Sequence, residues 1–317
     1  MDRGPLRAAA RAAVHSVRLR LALTALAAAA MIGCTCGGPT RLAVSGPPAY
    51  VRCLADAPPP EGEREVGGLH LRITGRRLVI DGLRAPYRLA AFSGPFAGGR
   101  AALVAAEPDL AVVVGGLGDD AAAAAEALAA LAPPGVPVLF VAGGEDRQPV
   151  RAATFRGLRD RTPLAVDATT LRSVVAGPLE LRIVAGAPDG RYAIADDACG
   201  VGPQDLRPAD PPPSADAAHR LLVSWAAPRA QGLLGAPAGW PALAAYADAL
   251  GVDHHLFAWP RLVHGAGPAP ADEPSEVATV LRPLVGAGVE RADGRWAPPG
   301  VTVLRVDRGG VVEVDRP

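Results

Sequence analysis

The chain has 317 residues, with Lys+Arg and Asp+Glu balanced at 32 each, enough for a sizeable core in one large or two modest domains. Zero net charge gives a polyanion nothing to hold, so no nucleic-acid partner is expected. Half of the residues are hydrophobic but only 4% are aromatic, which leaves Ala, Val and Leu to build the interior. Every basic residue is Arg; with so much Ala, Gly and Pro this is the pattern of a GC-rich genome, and isolated arginines carry little functional signal.

The N-terminus carries a targeting signal. Residues 1–20 contain Arg3, Arg7, Arg11, Arg18 and Arg20 against one acid, Asp2, and an apolar run over 21–33 follows. A basic segment, a short apolar core and a small residue before the cut make an export signal. The run falls short of the roughly 20 apolar residues that span a bilayer. Met31-Ile32-Gly33-Cys34 resembles the bacterial lipobox, which implies that Cys34 becomes the lipid-modified first residue. An ordinary signal peptide or an uncleaved anchor is the alternative. By the same resemblance, Thr35 rather than Asp after the cysteine implies a lipid anchor in the outer membrane, facing the periplasm. The membrane is thus the expected partner, through the N-terminal lipid. The expected division is a lipoprotein signal peptide over 1–33, a tether and loop over 34–66 and one α/β domain over 67–317. Cys36, Cys53 and Cys199 would then sit in an oxidising compartment. Three thiols allow at most one bridge. Cys53 with Cys199 is the first pairing to test, because Cys36 lies beside the anchor.

Beyond a proline-stiffened loop at 58–63, short β runs are expected at 69–73, 78–80 and 87–92. The continuous apolar run 110–114 is the kind of strand that is covered on both faces. Asp119 and Asp120 open an alanine-rich helix reaching about Ala132, with acids suited to its N-terminal end. Pro133-Pro134-Gly135 stops it, and 136–142 is a second buried strand. This strand–helix–strand unit reads as a βαβ crossover with parallel strands. Further strands are expected at 179–185, 220–224 and 254–257, a helix at 240–250, and a C-terminal hairpin at 301–306 and 311–314. Loops rich in Pro and Gly, notably 208–213 and 265–274, separate them.

In parallel α/β sheets, sites gather at the carboxyl ends of the strands. Those ends read Gly115-Gly116-Leu117-Gly118-Asp119 and Gly143-Gly144-Glu145-Asp146. Their order and separation resemble the calcineurin-like metallophosphoesterases, which place Gly-Asp-x-x-Asp after one strand and Gly-Asn-His-Asp after the next. Gly115, Asp119, Gly143 and Asp146 match; Gly116 stands at the metal-bridging Asp, Gly144 at the Asn and Glu145 at the His. The first strand should end in Asp-x-His, where Gly94 and Phe96 fall. Trp225 falls at a later His, and Ala258, Trp259 and Arg261 fall on the final Gly-His-x-His. The resemblance covers roughly residues 87–261 and implies an αββα sandwich of two mixed sheets flanked by helices. It also implies a vestigial metal site at Gly94, Phe96, Gly116, Gly144, Trp225, Trp259 and Arg261. Gly, Phe, Trp and Arg can neither clamp two metals nor lower the pKa of a bound water. No cofactor is therefore expected, and the domain reads as a pseudoenzyme with a binding or structural role whose protein or small-molecule ligand the sequence does not name.

The rival is a hydrolase with a relocated or single-metal site, holding a divalent metal through oxygen ligands from Asp119, Glu145 and Asp146. Against it, Asp119 is expected to cap the helix, Asp120 to lie on its exposed first turn and Asp146 to fix the loop backbone. His254 and His255, adjacent on a strand, point to opposite faces and cannot easily share an ion. Trp225 and Trp259 are expected either to fill the vacated cavity or to line an apolar pocket beside Arg261. Gly115–Gly118 lacks the Gly-Lys-Ser/Thr of a phosphate loop, and Ser93 and Ser224 have no partner visible in the sequence.

Overall fold

The computed structural model describes Cys53 and residues 59–94, 99–159, 161–188, 197–228, 240–258 and 301–311, with the backbone of a few further strand segments; all lie within Pro48–Pro317. Cys34, Phe96, Trp259 and Arg261 fall outside the described residues.

Among the described residues, two large mixed sheets and four α-helices make an α/β fold. The first sheet is built from β1 (Gly62–Val66), β2 (Leu69–Thr74) and β3 (Arg77–Asp81), then, across the chain, β8 (Ser173–Ala176), β9 (Leu179–Val184), β10 (His219–Ser224), β11 (His254–Phe257) and β12 (Val280–Pro283). Its last four strands run parallel, β3 pairs parallel with β8, and β1–β2–β3 is an antiparallel meander. The second sheet centres on β4 (Tyr87–Ser93), β5 (Leu110–Val114), β6 (Val138–Val141) and β7 (Ala165–Asp167), all parallel. The hairpin of β13 (Thr302–Val306) and β14 (Val311–Val314) joins antiparallel beside β4.

Alternation along the strands explains the layering. Leu89 and Ala91 of β4, with Leu110, Val112 and Val114 of β5, join an apolar cluster that also holds Leu78, Val174, Leu181, Val223 and Leu256 of the first sheet. Their neighbours Ala90, Phe92, Ala111 and Val113 face the other way. There they meet helices α1 (Gly99–Ala106), α2 (Ala121–Leu131) and α3 (Gln148–Leu158) through Leu103, Leu128 and Leu158. A period of two thus gives each sheet an inner face against the other sheet and an outer face of its own. Tyr87 ties the layers together, its hydroxyl donating to the Ala176 carbonyl at 2.8 Å. Helix α4 (Pro241–Leu250) packs on the first sheet through Leu243, Tyr246 and Leu250. Among the described residues no helix is long and apolar enough to cross a membrane.

The β5–α2–β6 unit forms as the sequence predicts. Its N-cap differs: Asp120, not Asp119, accepts from the Ala122 and Ala123 amides. β1 begins at Gly62, in the stretch that the sequence reads as tether and loop. Cys53 is buried and bonded to Cys199, Cα atoms 5.3 Å apart, so part of the expected tether is fastened to the domain.

Candidate functional site

The carboxyl ends of β4, β5, β6 and β10 bring the predicted residues together. After β5 the chain turns through Gly115, Gly116 and Gly118, whose φ values of 70°, 85° and 76° lie in the left-handed region that side chains with a Cβ avoid. Gly94, at φ 71°, donates to the Val114 carbonyl at 3.0 Å, and a Cβ on it would sit 3.7 Å from Gly116 Cα. The Gly115 amide donates to the Val141 carbonyl at 2.8 Å, which holds the β5 and β6 ends side by side.

Asp146 ties the two loops. Its carboxylate accepts from the Gly143 amide at 2.6 Å and from the Leu117 amide at 2.7 Å. Burial pushes its pKa up to about 6, even though those amides and the Arg151 charge pull it down. It fixes the loop backbone, as expected.

Glu145 is the less compensated of the pair. Burial, and then the neighbouring Asp146, push its pKa up to about 8, while its own amide, the Gly116 amide and the Trp225 side chain oppose that. Its Oε2 is out of water with no hydrogen-bond partner among the described residues. The carboxyl is mostly protonated at neutral pH, and a neutral acid avoids the larger penalty of a buried, unpaired charge.

Trp225, 2% exposed, lies just past β10. Its ring edge (Cδ1 and Nε1) rests against Gly115 and Gly143, and the Glu145 carboxyl presses on the same two glycines. A Cβ at Gly143 would overlap the indole, and one at Gly115 would overlap Glu145 Oε1. Gly115 is therefore required by close approach as well as by turn geometry, and Gly143 by close approach alone. Trp225 is buried at the strand ends, while Trp259 and Arg261, the other members of the expected filled cavity or apolar pocket, lie outside the described residues.

Asp119 does not join this group. It is exposed in the loop before α2, and among the described residues no three His, Cys, Asp or Glu side chains gather as a metal-holding set.

One constellation was missed by sequence reasoning. Ser224 Oγ lies 2.7 Å from His255 Nε2 and donates to the Ala226 carbonyl at 2.7 Å. A hydroxyl has one proton, so His255 must donate its Nε2–H to Ser224. Burial pushes the His255 pKa down to about 3 and keeps the ring neutral. A base that activates serine needs a free lone pair toward the hydroxyl; here the lone pair is on Nδ1, which has no hydrogen-bond partner among the described residues. The dyad therefore locks β10 to β11 rather than making a nucleophile. A signal was present: with the register Leu222↔His255, residues 222, 224 and 255 share a sheet face. His254 points the other way, its Nε2 3.0 Å from the Val311 carbonyl.

No family model matches the sequence, and no curated protein matches it. Among solved structures, the crystal structure of TT1561 of Thermus thermophilus is similar at 15% identity and a TM-score of 0.39, over 55% of this chain and 82% of that one.

Proposed function

We propose that this chain is an envelope lipoprotein, anchored through Cys34, whose folded part is a non-catalytic relative of the calcineurin-like metallophosphoesterases with a binding or structural role. The observation that carries this reading is the seating of Trp225 on Gly115 and Gly143 with Glu145 beside it.

A dinuclear hydrolase needs several lone-pair donors converging on two ions. The residues at these strand ends do not fit that demand. Gly94, Gly116 and Gly144 have no side chains, and the indole N–H of Trp225 is a donor only. Both Asp146 oxygens already accept backbone amides. Glu145 Oε2 has no hydrogen-bond partner among the described residues, but burial favours the protonated form of this carboxyl, which binds cations poorly.

The test uses the full chain, expressed with manganese supplementation and purified in detergent. Metal content and hydrolysis of bis(p-nitrophenyl) phosphate are measured together. Substoichiometric metal with background hydrolysis is expected. Stoichiometric metal, with turnover that disappears in Glu145→Ala or Asp146→Ala, would sink the proposal.

A further inference from the structure

The Cys53–Cys199 bond is linked to the strand-end loops through a chain of hydrogen bonds. The Cys199 carbonyl accepts from the Ala187 amide at 2.8 Å, and the neighbouring Gly186 amide donates to the Ala142 carbonyl at 2.9 Å. Ala142 follows β6 and leads into the loop that carries Glu145 and Asp146. Beyond that loop, the Gln148 amide donates to the Asp197 carbonyl at 3.0 Å. The Asp197 carboxylate accepts from Arg147 Nε at 2.8 Å and from Nη2 at 3.1 Å. The segment 197–199 thus holds one flank of the Gly143–Asp146 loop directly and the other through Gly186 and Ala187.

Among the described residues, the strand pairings of this segment are short: Gly200–Val201 with Ala187–Pro188, and a single bridge from Ala198 to Arg147. The covalent bond fixes it to a chain position 146 residues earlier, and a cross-link over so long a loop removes much of the freedom of the unbraced chain. The fit around it is tight. Gly186 has φ 92°, and a Cβ there would lie 2.8 Å from the Cys199 carbonyl oxygen. Cys53 is 0% exposed and Cys199 1%. Thiol–disulfide exchange needs one sulfur to attack another, so an oxidant cannot reach either cysteine in this closed arrangement. The bond therefore forms while the region is open, and closing follows.

We infer that oxidation of Cys53 and Cys199 gates the closing of the strand-end loops. The oxidant is a carrier that bears a disulfide. One cysteine thiolate attacks the carrier's disulfide, forms a mixed disulfide and frees one carrier thiol. The other thiolate then attacks the sulfur of the first, which forms the Cys53–Cys199 bond and frees the second carrier thiol. The chain loses two electrons, the carrier gains them, and the two thiol protons end on the carrier. With the segment 197–199 pinned, the 142–148 stretch is braced. Asp146 can then hold the Gly143 and Leu117 amides, and Trp225 can seat on Gly115 and Gly143. Only one consequence rests on the export reading: closing then waits until the chain has left a reducing compartment.

The experiment is amide hydrogen exchange read by mass spectrometry on the full chain in detergent. The oxidised protein, its thiols counted, is compared with the double variant Cys53→Ser, Cys199→Ser. Peptides spanning 142–148 and 184–188 should exchange roughly tenfold faster or more in the variant, and those over β4 and β13 should stay within about twofold. Native chain that is unfolded and reduced should regain slow exchange at 142–148 only when refolded with oxidised glutathione. Because purified protein in a defined redox buffer is used, its place in the cell does not enter the result. Unchanged exchange at 142–148 in the variant would overturn the inference. So would equal acceleration over β4 and β13, which would make the bond a support of the whole domain rather than of these loops.

Discussion

Glu145 and Glu180 are both buried acids, held by different surroundings. Glu180, fully buried on β9, accepts from Ser173 Oγ at 2.6 Å, from the Ser214 amide at 2.9 Å and from Arg182 Nη1 at 3.1 Å. Arg220 Nε is 3.6 Å away. The arginines in turn hold the proline-rich segment above them. Arg182 donates to the Pro211 and Pro208 carbonyls, Arg77 to Pro212 and Arg172 to Asp205. Prolines offer carbonyls without competing N–H groups, so an arginine-rich sheet face and a proline-rich strap are matched partners. Among the described residues Glu145 has no cation of its own; it is flanked by Asp146, Trp225 and glycines. Burial of a carboxyl is compatible with a stable fold in two ways: full pairing, or retention of the proton.

The largest effect is expected on the paired side. Arg182→Ala removes the buried partner of Glu180 and should cost about 3–5 kcal/mol in chemical denaturation; a loss under about 1 kcal/mol would show that the remaining donors suffice. On the unpaired side the signature is pH. The folded pKa of Glu145, about 8, lies above its ordinary 4.5, so the folded state holds the proton longer. Its contribution is fully present below pH 4.5 and is lost as pH rises through 8, at up to ~1.4 kcal/mol per pH unit. Asp146 acts in the same sense between 3.8 and about 6. Glu145→Gln should flatten the decline between about pH 6 and 8, by up to ~3 kcal/mol; an unchanged pH profile would break the contrast with Glu180. The smallest effect sharpens the packing claim. Gly143→Ala places a methyl in the Trp225 ring and should cost about 1–3 kcal/mol. Most of that penalty should vanish in a Trp225→Leu background, and full additivity would contradict the close approach.

The frame was legible because its signals are local. Uninterrupted apolar runs marked β5 and β6, an acid pair before alanines marked α2, and Pro-Pro-Gly marked its end. The pairing of Cys53 with Cys199 followed from setting aside the cysteine nearest the anchor. Helix α3 was not seen, since Arg151 and Thr154 are among its buried positions and break the apolar period. Arg151 is tolerated there because Asp167 pairs with it at 2.8 Å, a contact between distant residues. β1, with Glu63, Arg64 and Glu65 on an exposed strand, has no apolar alternation to read. At the candidate site, the resemblance to the metallophosphoesterase motifs is what pointed to Gly94, Gly116, Gly144 and Trp225. It could not show that the Trp225 ring would rest on Gly115 and Gly143, or that Ser224 would find His255, because both contacts are made across strands.

The central claim is that Trp225 and Glu145 take up the space where metal ligands would have to converge. Its most direct test is the Mn, Fe and Zn content of the full chain purified without chelators after growth with manganese. Far less than one ion per chain is predicted, both in the native protein and in Glu145→Gln. One or two ions per chain, lost on Glu145→Gln or Asp146→Asn, would contradict the account.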